Sequence, residues 1–86
     1  MKVTLPTPLA EYTGGVRVVM GEGETLDLLL RDLDRQYPGI RFRMIDEQGS
    51  VRAHIKLFVN AELERSLAAC LNPRDEVLIV AALSGG

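Results

Sequence analysis

The sequence predicts an α+β domain: a mixed β-sheet with one main helix packed on it. Three observations carry this. Leu26, Leu29, Leu30, Leu33 and Tyr37 recur at helical spacing, with Arg31, Asp32, Asp34 and Arg35 on the other face. Short β-rich runs bracket that segment in the order β-β-α-β-(β)-β. The last run, residues 76–83, is apolar on both faces, which suits a strand in the middle of a sheet.

Residues 2–9 alternate apolar Val3 and Leu5 with polar Lys2 and Thr4 before meeting Pro6 and Pro8, as an edge-tolerant first strand does. Tyr12-Thr13-Gly14-Gly15 is turn chemistry and residues 16–20 are a second strand, so the two form a hairpin-like pair. Gly21-Glu22-Gly23-Glu24 breaks the run. Thr25 is placed to cap the helix, Asp27 complements its N-terminal dipole, and Pro38-Gly39 ends it. Residues 40–45 read equally as a short helical turn or as irregular chain. Asp46-Glu47-Gln48-Gly49-Ser50 is a loop. Residues 54–60 form the third strand, with Ile55, Leu57 and Val59 facing one way and Lys56 and Phe58 the other. Residues 63–71 fit a short strand or a helical turn. A polar turn, Leu71-Asn72-Pro73-Arg74-Asp75, feeds the final strand.

At 86 residues and 47% hydrophobic composition, the chain can build one modest core without staples. A single cysteine, Cys70, excludes an internal disulfide framework and any multi-cysteine metal site. A net charge of -2 gives no electrostatic case for nucleic-acid binding. Arg41, Arg43 and Arg52 are mixed with Asp46 and Glu47 and read as a solvated face. The absence of a signal-like start and of any ~20-residue apolar stretch leads to the expectation of a cytoplasmic chain that does not enter membranes.

No catalytic constellation stands out. His54 is the only histidine, without the partners that a zinc site or triad needs, and reads as a surface or strand-end residue. Cys70 lies in Leu67-Ala68-Ala69-Cys70-Leu71 and reads as a buried, inert thiol. The glycines at 14–15 and 21–23 lack the spacing of a phosphate-binding fingerprint. Asp32 and Asp34 point to different helix azimuths and read as solvated. Phe58 and Leu83 are either core residues of a second face or an exposed apolar patch that docks a partner. The most distinctive feature is Leu83-Ser84-Gly85-Gly86 directly after a strand. Glycine has no Cβ, so such a tail threads a narrow channel and offers the Gly86 carboxylate to another protein's active site. The organisation expected is a domain over residues 1–82 and a flexible reactive tail over residues 83–86.

Phe58-Val59-Asn60, Asp75-Glu76-Val77-Leu78-Ile79 and Ala82-Leu83-Ser84-Gly85-Gly86 together resemble the ubiquitin-like sulfur carriers. These are the relatives of the small subunit of molybdopterin synthase and of the thiazole sulfur carrier. The resemblance spans nearly the whole chain and implies the β-grasp fold. Tyr12-Thr13-Gly14-Gly15, Tyr37-Pro38-Gly39-Ile40 and the loop before His54 look most like the carriers linked to cysteine synthesis. Ala61 and Ala81 depart from the family, which often has Gly and Pro there. The resemblance implies a carrier that is a co-substrate rather than an enzyme, with no cofactor or metal of its own. An adenylating enzyme related to those that activate ubiquitin uses Mg-ATP on Gly86, and a sulfur donor converts it to a thiocarboxylate. Gly85, Ser84 and Leu83 are the threaded tail, and Phe58 and Leu83 are partner-docking candidates. The sulfur acceptor implied is a cysteine synthase-like enzyme, with a metal-dependent protease releasing product; a molybdopterin or thiazole synthase is the alternative acceptor. Outside this class stand a ubiquitin-like protein modifier and a non-covalent β-grasp binding module.

Overall fold

Thr25 starts the helix by accepting a hydrogen bond from the Leu28 backbone N–H at 3.2 Å, which satisfies one of the open donors of the first turn. In the computed structural model, which describes residues 1–82, α1 then runs Leu26–Gln36. Leu26, Leu29, Leu30 and Leu33 are fully buried, as the helical spacing requires. Each such burial stabilises the fold by roughly 1.5–3 kcal/mol before entropy is charged against it.

Five strands form one sheet: β1 (Lys2–Thr4), β2 (Val18–Met20), β3 (Ile55–Val59), β4 (Glu62–Leu63) and β5 (Glu76–Ala81). Their spatial order is β2-β1-β5-β3-β4, antiparallel throughout except for the parallel pair β1–β5. Val3, Val19, Ile55, Leu57, Val77 and Ile79 are buried in one core cluster with the four leucines of α1. The opposite sheet face carries exposed Val18, Met20, Leu63 and Leu78. This is a β-grasp arrangement: a mixed sheet holding one main helix against one side.

Several expectations need correction. The first strand ends at Thr4 and is an inner strand, paired with β2 on one side and β5 on the other. Pro6 instead precedes a 3-10 helix, Thr7–Thr13, closed by Gly14 in the left-handed region at φ 69°. Residues 40–45 resolve as a 3-10 turn, Arg41–Arg43, which sets Ile40, Met44 and Ile45 fully into the core. After the two residues of β4, the chain is irregular apart from an isolated bridge between Thr25 and Cys70. Leu71 turns inward there, its N–H donating to the Glu24 carbonyl at 2.8 Å. Alternation along the extended chain then puts Cys70 outward, so the thiol is exposed rather than buried.

Asp32 and Asp34 also differ from the solvated pair expected. Asp32 accepts from the Glu22 backbone N–H at 2.9 Å and from Gln36, and pairs with Arg35. Asp34 accepts from the N–H groups of Gly39 and Arg41, both at 3.1 Å, and so guides the chain out of α1. Gly39 sits at φ 98°, where a side chain would be strained.

Candidate functional site

The strand registers align one row of side chains straight across the uncovered sheet face. Thr4 lies opposite Val18 and Leu78, Leu78 opposite Phe58, and Phe58 opposite Leu63. Thr4 separates Val18 from the rest, and Leu78, Phe58 and Leu63 form a continuous apolar band with Phe58 half-buried between the other two. Phe58 lies half-buried on the sheet face that no helix covers, outside the core cluster. Lys2 and Glu76, paired at 3.5 Å, border the band on one side, and Lys56 beside Val80 borders it on the other. Both partners of the Lys2–Glu76 pair are mostly exposed, so it contributes little stability and serves as a polar rim. Leu83, Ser84, Gly85 and Gly86 lie outside the described residues.

Two of the sequence segments singled out above meet in space. The β3–β4 turn is a two-residue loop, because Val59 pairs with Glu62 and leaves only Asn60 and Ala61 between them. Asn60 grips the start of β5: its Nδ2 donates to Asp75 Oδ1 at 2.9 Å, and its Oδ1 accepts from the Glu76 N–H at 2.9 Å. Its own N–H donates to the Glu76 carbonyl at 2.8 Å. Asp75 closes the network by accepting from the Asn72 N–H at 2.8 Å, and this bond, then that from Asn60, holds its carboxyl below the usual range. The Asn and the Asp-Glu-Val pattern are therefore one structural device that fixes β5, the strand leading to the tail.

Among the described residues, the remaining titratable groups assemble no catalytic centre. His54 is exposed just before β3, as expected of a strand-end residue, and its carbonyl accepts from the Ala82 N–H at 2.7 Å. Among the described residues no group of three or more His, Cys, Asp or Glu side chains could hold a metal ion. No described helix is long and apolar enough to cross a membrane. The basic zone divides. Arg41 reaches back to Asp27 at 3.0 Å, and the Asp27 carboxyl is lowered first by its bond to Arg31 and further by Arg41. Arg43 and Arg52 project instead beside the end of β5, a juxtaposition that nothing in the local sequence signals.

Comparison with known proteins gives this arrangement its context. Residues 3–86 match the ThiS family. The chain belongs to that family. Among curated relatives, the sulfur carrier protein CysO of Mycobacterium tuberculosis is 35% identical, over 98% of this chain and 96% of the relative. The crystal structure of M. tuberculosis CysO superposes with a TM-score of 0.90 at 33% identity, covering 95% of this chain and 98% of that one. The Amycolatopsis orientalis BexX/CysO complex gives 0.89 at 30% identity, with 99% and 98% covered. The small archaeal modifier protein 1 of Methanosarcina acetivorans gives 0.81 at 26% identity, with 99% and 94% covered. The ThiS-family chain is thus a small ubiquitin-like sulfur carrier by sequence and fold, not itself an enzyme.

Proposed function

We propose that this ThiS-family chain carries sulfur as a thiocarboxylate on Gly86 for the synthesis of cysteine or a related sulfur metabolite. The observation that carries the reading is the match to CysO along nearly the full length of both chains, in sequence and in fold. A carboxylate is a poor electrophile. An adenylating enzyme overcomes this by letting a Gly86 oxygen attack the α-phosphate of Mg-ATP, with pyrophosphate leaving. Sulfide then attacks the acyl carbon, AMP departs with the original oxygen, and the thiocarboxylate remains. Its sulfur is anionic at neutral pH and nucleophilic without a base on the carrier. The receiving enzyme supplies orientation and transition-state stabilisation. The carrier's part is position: Asn60 and Asp75 fix β5, and the band through Phe58 and Leu78 offers a surface for a partner enzyme. Leu83 extends that docking role towards the tail, and Ser84 and Gly85 thread the partner's channel.

The test is intact mass spectrometry after incubation with Mg-ATP, sulfide and the adenylating enzyme, followed by fragmentation of the C-terminal peptide. Fragmentation is essential because exchange of oxygen for sulfur nearly matches oxidation of Met1, Met20 or Met44. Sulfur located on Gly86 is the expected result, and Gly86→Ala folds normally but loses transfer. An unmodified Gly86 with every plausible activator refutes the carrier reading. Similarity to small archaeal modifier protein 1 favours conjugation to target lysines as a second reading of the same activated end. Covalent adducts on a denaturing gel of cell extract distinguish the two.

A further inference from the structure

Gly86 lies four residues beyond Ala82, and a fully extended chain advances at most ~3.6 Å per residue, so Gly86 reaches no further than about 14 Å from Ala82. An enzyme that encloses the Gly86 carboxyl therefore also covers the surface around Ala82. That surface is a groove of about 620 Å³ running from Ala82 past His54, Arg52 and Arg43 to Tyr12 and Phe42.

Its two guanidinium groups are held in fixed orientations. Arg43 Nε donates to Tyr12 Oη at 2.6 Å, and the guanidinium carbon lies 6.0 Å from that ring's centroid. Arg52 Nε donates to the Phe42 carbonyl at 2.7 Å and stacks 4.6 Å from the Phe42 centroid. Each Nε is thus used within the chain, and each outer Nη edge keeps the fork geometry that pairs with a carboxylate. Among the described residues, neither arginine forms an ion pair. Among the described residues, two acids face them. Glu11 lines the groove near Arg43, and Asp46 acts on Arg52 from its loop, where its Oδ1 already accepts from the N–H groups of Gln48 and Ser50. A chain of net charge -2 thus concentrates two arginines and its one histidine where the tail begins.

We propose that this groove docks an acidic segment of the adenylating enzyme, with Arg43 and Arg52 each pairing with a carboxylate as the tail enters the active site. The inference rests on the reading that Gly86 is the activated residue. Charge pairs at such a rim govern encounter and register and depend on ionic strength.

The experiment is ATP–pyrophosphate exchange by the source organism's adenylating enzyme at varied carrier concentration, for wild type, Arg43→Gln/Arg52→Gln and Arg43→Lys/Arg52→Lys. A third double variant, Arg31→Gln/Arg35→Gln, removes the same net charge from α1, away from the groove. Thermal melts confirm that each variant is folded. The groove Gln variant is expected to raise KM ~10-fold or more at constant kcat and to flatten the salt dependence of KM. The Lys variant recovers the salt dependence, which a merely structural loss of the Nε bonds would not allow, and the α1 variant behaves as wild type. A folded groove Gln variant with wild-type KM and salt dependence overturns the inference alone, as does an equal effect from the α1 variant. If the groove Gln variant unfolds, a salt-independent wild-type KM overturns it and a steeply salt-dependent one supports it. Wild type that supports no exchange with any candidate enzyme overturns both the inference and the carrier reading.

Discussion

Replacing Ala61 with glycine stabilises the domain. Ala61 holds φ 70° and Asn60 holds φ 50°, the two left-handed positions of a type I′ hairpin turn between β3 and β4. A left-handed backbone costs a residue with a Cβ ~1–2 kcal/mol. Glycine removes that cost but returns ~0.4–1 kcal/mol through its greater freedom in the unfolded chain. The difference leaves a gain of about 0.8 kcal/mol, equivalent to a rise of ~3–6 °C in Tm for a domain of this size. Asn60 is left alone because its side chain is engaged with Asp75 and Glu76. Urea unfolding of both proteins is the assay, with the midpoint expected to rise and the slope m to stay constant. Adenylation kinetics of Ala61→Gly should match wild type, since the backbone path of the turn is unchanged. An unchanged or lower midpoint refutes the reasoning, because it would mean that Ala61 carries no left-handed cost.

Asn60→Ala removes both side-chain bonds to the start of β5 and should cost about 1–3 kcal/mol by urea unfolding. Phe58→Ala should leave the melt nearly intact yet raise the KM for the adenylating enzyme ~10-fold or more, as truncation of an aromatic anchor does. Asp27, Asp32, Asp46 and Asp75 are all held below their ordinary value of 3.8, chiefly by Arg31, Arg35, the Ser50 N–H and the Asn72 N–H respectively. Their depressed values mean that stability is fully present above the ordinary value and is lost as pH falls through the folded values. Unfolding midpoints should therefore be flat from neutral pH down to about 5 and drop steeply below about 4. Asp75→Asn should make that acid loss shallower.

The helix was legible because its signal is local. Four leucines at helical spacing, a capping threonine and a Pro-Gly stop are written within fifteen contiguous positions, and α1 forms there. The central place of β5 was also legible, although the physical reason differs. Apolar residues on both faces suggested double burial, but Leu78 remains 41% exposed while Val77 and Ile79 are buried. The strand is central because both its edges are paired, and its outer apolar residues belong to a surface band. Features decided by distant chain were not legible. Cys70 sits in an apolar string, yet the bridge to Thr25 fixes the alternation that turns it outward. The first strand resembled an edge because of its prolines, which in fact lie beyond its end. Arg43 and Arg52 are separated by a loop in sequence and share a groove only because β3 and the 3-10 turn flank the end of β5.

The parallel pairing of β1 with β5 also bears on when a functional molecule comes into being. Val3 lies beside Val77, so β1 cannot complete its pairing until β5, more than seventy residues later, has been made. Until β5 is made, the β1–β2 and β3–β4 pairs have nothing to join them into one sheet. Translation thus cannot yield the assembled sheet before β5 is complete, because β5 alone joins the β1–β2 pair to the β3–β4 pair. A partner that recognises the assembled sheet is thereby shielded from chains that terminate before β5, with no separate inspection step.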